Sequence, residues 1–423
     1  MEEQKRVPKL RFTEFSENWN GVLFGDIAAF TKGKNISKSD IVDDGQTECI
    51  RYGELYTDYN EIIEEIVSKT NLPKDELVLS KINDVIIPSS GETQLDIATA
   101  SCVLKNDVAL GGDLNIVRTK QDGLFISYYL NSAKKKDIAS LAQGNSVVHL
   151  YNHQLKGLKL NLPNLVEQQK IATFLATVDK KIAQLHQKKR LLEDYRKGVM
   201  QQIFSGELRF TKEDGSAYPD WEEKKFKEIY SFYSTNSFSR DKLNYESGKV
   251  RNVHYGDIHT KFSTLFDINE ELVPYVNNDV DLSKVKKESF LQLGDLLIAD
   301  ASEDYDDIGK TIEVVNLNSE KVISGLHTFH ARPNKHKMAL GFSGYLLQNW
   351  MIRKQVMKIA QGTKVLGIST GRLGEIKFFI PSYPEQTQIA NFLIAIDKKI
   401  AVVQTQISQN QQFKKGLLQQ MFV

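Results

Sequence analysis

The sequence predicts a mixed α/β protein with two pseudo-twofold-related α/β domains separated by an antiparallel pair of long coiled-coil helices. Three observations predict it. The 423-residue chain is a tandem repeat, each copy closes on a heptad-patterned segment, and short strand candidates precede that segment in both copies. A chain of this length exceeds one ordinary core, and its 41% apolar content is ample for two.

The repeat is plainest in the closing segments. From Pro163 the chain reads PNLVEQQKIATFLATVDKKIAQLHQKKRLLEDYRKGVMQQIF, and from Pro381 it reads PSYPEQTQIANFLIAIDKKIAVVQTQISQNQQFKKGLLQQMF. The two align without a gap at an offset of 218, the separation of the two prolines. Fainter matches precede them: Leu10-Arg11-Phe12-Thr13 with Leu208-Arg209-Phe210-Thr211, Trp19 and Phe24 with Trp221 and Phe226, Tyr52-Gly53 with Tyr255-Gly256, Asp84 with Asp295, and Gly111 and Arg118 with Gly325 and Arg332. Ala142-Gln143-Gly144 likewise matches Ala360-Gln361-Gly362. The boundaries that follow are 1–162 and 207–380 for the domains and 163–206 and 381–423 for the helical segments. The first helix runs on through Ser205-Gly206 into Leu208-Arg209-Phe210, whereas Leu10-Arg11-Phe12 stands near the other end of the chain. Joining the C-terminus to the N-terminus therefore closes a pseudo-twofold ring.

In the first helical segment Ile171, Leu175, Val178, Ile182, Leu185, Lys189, Leu192, Arg196, Val199 and Ile203 follow alternating steps of four and three, the seam of a coiled coil. In the second, the seam is Ile389, Leu393, Ile396, Ile400, Val403, Ile407, Asn410, Lys414, Leu417 and Met421. Two such seams on one chain can satisfy each other, most simply in antiparallel fashion. Pro163 and Pro381 precede the helices, and Glu167 and Glu385 sit in the first turn, where they complement the helix dipole. A helix over 167–204 is about 57 Å long at roughly 1.5 Å per residue. The basic residues of the first helix, from Lys170 to Lys197, read as a solvated face, with phosphates or a partner helix as the alternative.

The domains read as mixed α/β, with strands at 83–88, 113–118, 294–299 and 327–332. Amphipathic helices are expected near 124–142 and 342–360, ended by Gly144 and Gly362 as glycine C-caps. They carry Lys134-Lys135-Lys136 and Arg353-Lys354 with Lys358, again a solvated face or a phosphate contact.

Composition and motifs exclude more than they assign. A net charge of +1 exerts no global pull on a polyanion, so any basic surface is made by segregating charge. Cys49 and Cys102 form neither a disulfide framework nor a metal pattern and read as buried thiols. No signal-like or membrane-length apolar run is present, so the expectation is a soluble cytoplasmic chain with no membrane partner. Gly309-Lys310-Thr311 ends like a Walker A loop, but Asp304 stands where its first glycine belongs. No methyltransferase tetrapeptide or glycine fingerprint appears, and the acids beside Pro219 are too nearly contiguous for a nuclease site. His254, His259, His327 and His330 lack a suitably spaced further ligand, and no metal is expected.

The Lys-Leu-Arg-Phe start followed by Trp and Phe, the Pro-x3-Glu-Gln-x2-Ile-Ala-x-Phe-Leu-x3-Asp-Lys-Lys-Ile block and the Lys-Gly-x2-Gln-Gln-x-Phe close, seen at Pro163 to Phe204 and again at Pro381 to Phe422, resemble the specificity subunits of type I restriction-modification systems. The resemblance covers essentially the whole chain. It implies a non-catalytic DNA-binding subunit in a bacterial cytoplasm, acting in DNA methylation and host defence. Each variable domain would be a target-recognition domain for half of a split double-stranded site, and the helices would act as spacer and dock for two methyltransferase subunits, with motor-nuclease subunits joining the full complex. S-adenosylmethionine, ATP and magnesium would belong to those partners, and this chain would carry no cofactor. Two readers about one helical turn apart, roughly 34 Å, leave the base pairs between them unread.

Base-reading candidates are sought in loops where turn residues meet polar groups. They are Ser89, Ser90, Glu92, Thr93, Asn145, Ser146 and His149 in the first domain. In the second they are Thr235, Asn236, Ser237, Ser302, Glu303, Tyr305, Thr363 and Lys364. Tyr52 and Tyr255 recur at equal positions, which points to a scaffold role. The alternative from another class is a coiled-coil scaffold that organises partners without reading DNA, and sequence-specific binding discriminates the two.

Overall fold

The alternation in Asp84–Pro88 sets the layering of the first domain. Val85 and Ile87 pack into one apolar cluster and Ile86 into another, so both faces of this strand are buried. In the computed structural model, which describes residues 7–34, 36–334 and 337–423, the strand lies at the centre of a five-stranded sheet. Its order is Ala28–Lys32, Leu114–Thr119, Asp84–Pro88, Ser101–Val103, Ile62–Ile63, antiparallel except for the last pairing, which is parallel. The second copy repeats this order and these directions with Tyr230–Tyr233, Thr328–Pro333, Leu296–Ala299, Thr311–Asn316 and Leu265–Asp267. Leu296 and Ile298 enter one cluster and Leu297 and Ala299 another. All four expected strands are present.

The amphipathic helices differ from expectation, because each is broken. The first splits into Gly123–Asn131 and Lys135–Leu141, where the Ser132 hydroxyl donates to the carbonyl of Tyr128 at 2.6 Å and competes with the helix ladder. The second splits into Phe342–Gln348 and Trp350–Ile359, because the Asn349 side chain accepts from the Met351 N–H at 2.8 Å and starts a new helix. Nor do Gly144 and Gly362 act as C-caps. The capping residues are Ala142 and Ala360, and the glycines lie beyond them in tight turns at φ +128° and +130°.

Two long helices, Leu165–Ser205 and Tyr383–Met421, carry the heptad seams. At 41 residues the first is about 60 Å long at roughly 1.5 Å per residue. Every seam position is buried or half-buried. Contacts among the described residues divide the chain into two units, Met1–Gln187 with Gln404–Val423, and Lys188–Val403. Each long helix thus gives one half to each unit, where the sequence pattern marks it as a segment of its own. Within the first unit Leu175 and Val178 pack with Leu417 and Met421; within the second, Val199 and Ile203 pack with Ile389 and Leu393. In both, the start of one helix meets the end of the other, as antiparallel pairing requires.

The first turn of each helix does more than answer a dipole. Glu167 is fully buried and takes the Arg11 guanidinium on both oxygens at 2.7 Å, with the Trp19 indole N–H at 3.4 Å. Glu385 takes Arg209 at 2.7 and 3.0 Å and Trp221 at 3.2 Å. The neighbouring Gln168 and Gln386 tie the same turn to the domains, accepting from the N–H of Asp122 at 3.1 Å and of Ala339 at 2.8 Å.

The ring topology read from the sequence has a geometric counterpart. The chain leaves the first long helix with the Leu208 N–H donating to the Gln202 carbonyl at 2.9 Å, and the Leu10 N–H donates to the Gln420 carbonyl at the same distance. Phe12 meets Phe174 edge-on at 5.8 Å, as Phe210 meets Phe392 at 5.6 Å. Joining Val423 through one glycine to Lys9 and opening the chain at Gly206 exchanges loops of equal length, so their closure entropies cancel. The permuted protein is expected to fold with an unfolding free energy within roughly 1 kcal/mol of the parent. Urea unfolding followed by circular dichroism checks this, and a permutant that fails to fold would show that the segment before Trp19 docks differently.

One buried acid makes the second unit pH-sensitive. Glu313 accepts from the N–H groups of Gly341 and Gly344, each at 2.7 Å, at the start of the helix Phe342–Gln348. Burial outweighs those donors and pushes its carboxyl up to about 7. A raised acid pKa means that the folded state binds the proton more tightly than the unfolded chain. The contribution is therefore fullest below the ordinary value of 4.5 and is lost as pH rises through about 7. Comparing urea midpoints at pH 5 and 8, the wild type should lose more stability than Glu313→Gln, whose baseline is lower but lacks this titration.

Candidate nucleic-acid interface

In each domain three segments meet at the end of the central strand. After Pro88 the Ser89 N–H donates to the Asp113 carbonyl at 2.8 Å, and the Ser89 carbonyl accepts from the Leu150 N–H at 3.1 Å. Ser90–Gly91 then pairs antiparallel with Val148–His149. After Ala299 the Asp300 N–H donates to the His327 carbonyl at 3.1 Å, the Asp300 carbonyl accepts from Ile368 at 3.0 Å, and Ala301–Ser302 pairs with Leu366–Gly367. The loops expected near 89–93 and 144–149 are therefore brought together, as are those near 302–305 and 362–364.

Their side chains play unequal parts. Ser89 is buried, while the Ser90 hydroxyl lies 3.3 Å from His149 Nδ1 and 3.4 Å from Asp113 Oδ1. Thr93 caps the short helix Gln94–Ile97, and Glu92, Asn145 and Ser146 are exposed. In the second domain Ser302 is buried, its hydroxyl oxygen accepting from the Asp304 N–H at 3.2 Å; Glu303, Tyr305, Thr363 and Lys364 are exposed. The expected basic face is partly spent here: Arg353 donates to the carbonyls of Tyr305 and Asp306 at 3.4 and 2.9 Å and pins the loop, and burial lowers its pKa. Thr235 and Ser237 are exposed along a groove of about 510 Å³ shared with Lys284, Lys286, Asp300 and His327. Asn236 is committed to the fold, donating to Asn252 Oδ1 and the Ser324 carbonyl, both at 2.7 Å.

Sequence reasoning missed three residues beside His149. The rings of His149, Tyr151 and His153 stack in sequence at 6.2 and 5.7 Å, and the Lys32 ammonium stands 5.7 Å from the Tyr151 centroid. Their alternation along the chain was the available signal. At the equivalent places the second copy has Gly367, Ser369 and Gly371, so the two surfaces differ in kind.

His254, His259, His327 and His330, the histidines weighed as a metal site, serve separate partners. His254 Nδ1 accepts from the Gly256 N–H, His259 Nε2 lies 3.0 Å from the Ala301 carbonyl, His327 Nδ1 lies 3.2 Å from Asp300, and buried His330 lies 2.7 Å from Asp295. Among the described residues, no group of three or more His, Cys, Asp or Glu side chains is placed to hold a metal ion. Burial pushes the Cys49 and Cys102 thiols up to about 11 and about 12. Lys310 of the Walker-like tripeptide donates to the His259 carbonyl at 2.5 Å. No described helix is long and apolar enough to cross a membrane.

The family model for the type I restriction modification DNA specificity domain matches residues 16–194 and again 218–410, one match per copy. The chain belongs to this family. The specificity chain is 26% identical over 414 residues to the type I restriction enzyme MjaVIII specificity subunit of Methanocaldococcus jannaschii, covering 95% of this chain and 91% of that one. It is 25% identical over 229 residues to the putative MjaX specificity subunit of the same organism, covering 53% and 50%. Its fold is similar to the crystal structure of the type I restriction-modification S subunit from M. genitalium, at a TM-score of 0.61 and 16% identity, with 99% of each chain covered. A structure described under complex assembly and conformational transition of the type I system matches at a TM-score of 0.53 and 15% identity, covering 96% of this chain and 97% of that one.

The turns carrying the candidate loops depend on glycine. A Cβ on Gly144 would stand 2.1 Å from the Val147 carbonyl oxygen, and one on Gly362 would stand 1.9 Å from that of Val365. Gly198, inside the first long helix, has open space around it. Gly144→Ala and Gly362→Ala should each cost about 2 kcal/mol or more, while Gly198→Ala should gain up to about 1 kcal/mol. Denaturant unfolding of the three variants checks the contrast.

Proposed function

We propose that each α/β unit of this specificity chain reads one part of a split duplex site, and that the chain docks methyltransferase subunits on its long helices without catalysing a reaction itself. Motor-nuclease subunits would join through that complex, and S-adenosylmethionine, ATP and magnesium would serve the partners. The observation that carries the reading is the junction at the end of each central strand, identical in main-chain bonding and different in side chains. A constant frame with variable edges suits two readers of unlike sequences, because base contacts specify where main-chain and basic groups only position.

Docking by two equal partners is favoured by the helices' outer faces. Tyr195 and Phe413 occupy equivalent positions at the offset of 218 and are 52% and 53% exposed. Leu165 and Tyr383 form a second equivalent pair, 42% and 48% exposed. Large apolar side chains held in water at matched places suit an interface used twice. Native mass spectrometry of the assembled complex should give two methyltransferase subunits per chain. Tyr195→Glu and Phe413→Glu should each remove one of them, and the double variant both.

Mapping modified adenines in DNA exposed to the complex tests the reading itself. A split motif is expected, and exchanging residues 14–160 for those of a relative should alter only one half of it. Specific binding absent from the assembled complex would favour the scaffold reading instead.

A further inference from the structure

One position at the junction changes its chemistry while its frame stays constant. The turn that starts at Gly111 leads into Leu114–Thr119, and the turn that starts at Gly325 leads into Thr328–Pro333. Counted from the turn glycine, Asp113 and His327 are the same residue of the repeat, and their carbonyls accept the equivalent N–H bonds from Ser89 and Asp300. Both side chains are exposed. Beside them stand matched ring pairs, Tyr52 with Tyr56 at 6.3 Å and Tyr255 with His259 at 5.8 Å, both edge-on.

The chemistry at this shared tip is opposite. An ionised carboxylate only accepts hydrogen bonds, whereas a protonated imidazole only donates. Asp113 has the Ser90 hydroxyl 3.4 Å away. A carboxylate on a surface that meets DNA is repelled by phosphate, so its presence is useful only where a base offers it a hydrogen. His327 has Nδ1 on Asp300, its ring 5.3 Å from that of Tyr255, and Lys284 and Lys286 line the same groove. With Nδ1 held by Asp300, Nε2 is the ring nitrogen left to meet a base edge, and it donates there when the ring carries both protons. His327 also holds φ +55°, a conformation costly to residues other than glycine, although Asn, Asp and His adopt it more readily.

We propose that Asp113 and His327 are specificity-determining residues at one shared position: Asp113 selects a base presenting an amino hydrogen in the major groove, cytosine or adenine, and His327 selects the acceptor edge of guanine. The inference rests on the DNA-reading function proposed for the two units and says which chemistry each half-site must offer. It also assigns Tyr52 and Tyr255 to the frame, as their recurrence suggested.

The test uses the full chain assembled with its methyltransferase subunits and a library of duplexes randomised over both half-sites, with the retained sequences read out. Asp113→His should move one position of one half-site from an amino-bearing base to guanine, with a preference change of about tenfold or more. His327→Asp should do the reverse at one position of the other half only. Asp113→Asn and His327→Asn guard against misfolding, since asparagine is nearly isosteric with aspartate and tolerates the left-handed backbone at 327; each should relax the letter at its own position. Unchanged letters in both halves from folded variants, or uniformly weaker binding with the same letters, would overturn the assignment and leave these residues a structural or phosphate-positioning role. A wild-type complex that retains no split motif at all would overturn the DNA-reading function beneath it.

Discussion

The buried bond between an arginine and the first-turn glutamate of each long helix is the constraint on which the rest of the structure depends. Glu167 and Glu385 have no exposed surface, and a carboxylate out of water is costly unless paired and fully hydrogen-bonded. Each is satisfied by an arginine fork and an indole from a segment more than 140 residues earlier in the chain. That one contact fixes the entry of the helix, the segment bearing Arg-Phe, and the tryptophan that packs into the domain core. Losing the arginine alone would leave the acid buried without its countercharge, a cost on the order of 3–5 kcal/mol. The bond therefore makes the docking of helix on domain close to all-or-none.

Such an anchor explains how conservation of frame and freedom of surface coexist within one chain. The sheet order, the Glu-Gln turn and the junction bonding are the same in both units, while the side chains at the junction are Asp and His at the tip, and an aromatic-imidazole ladder in one copy against glycine and serine in the other. Exposed tip residues contribute little to folding, so they can change without disturbing the sheets that present them.

The parts legible in the sequence were those with a short-range signature. Heptad seams repeat every few residues and were placed position by position; the four strands stood out through local alternation; the ring topology followed from comparing the two joints. What escaped was set by contacts between distant residues or by single side chains acting on the backbone. Ser132 and Asn349 break helices whose apolar pattern runs on without interruption, and Gly144 and Gly362 serve turns of the candidate loops because a distant strand fixes where those loops go. Among the loop candidates, Asn236 looked like Thr235 and Ser237 in sequence, but its amide is consumed by Asn252 and Ser324. Asp113 and His327 were passed over because each is only a polar residue in a turn until the two copies are superposed strand by strand.

The same logic accounts for two of the charged residues that interrupt the seams, Lys414 and Arg196. Lys414 stands where an apolar residue is expected and is taken by Asp179 at 2.7 Å and Glu61 at 3.0 Å, with the Tyr128 hydroxyl donating to Asp179 at 2.5 Å. Burial works against its ammonium, but the two acids more than offset that and hold its pKa above the ordinary value. At the equivalent place in the second unit Arg196 meets Asp397 at 2.5 Å, and the Tyr345 hydroxyl donates to Asp397 at 2.7 Å. Half-buried ion pairs of this kind seldom exceed in stability the leucine that would replace the cation. Their effect is on register, because sliding one helix by a heptad would keep apolar residues facing each other while stranding a cation from its acid. An all-apolar seam would permit several registers of similar energy, and within each unit the helix halves would then have no fixed relation to the domain they pack on.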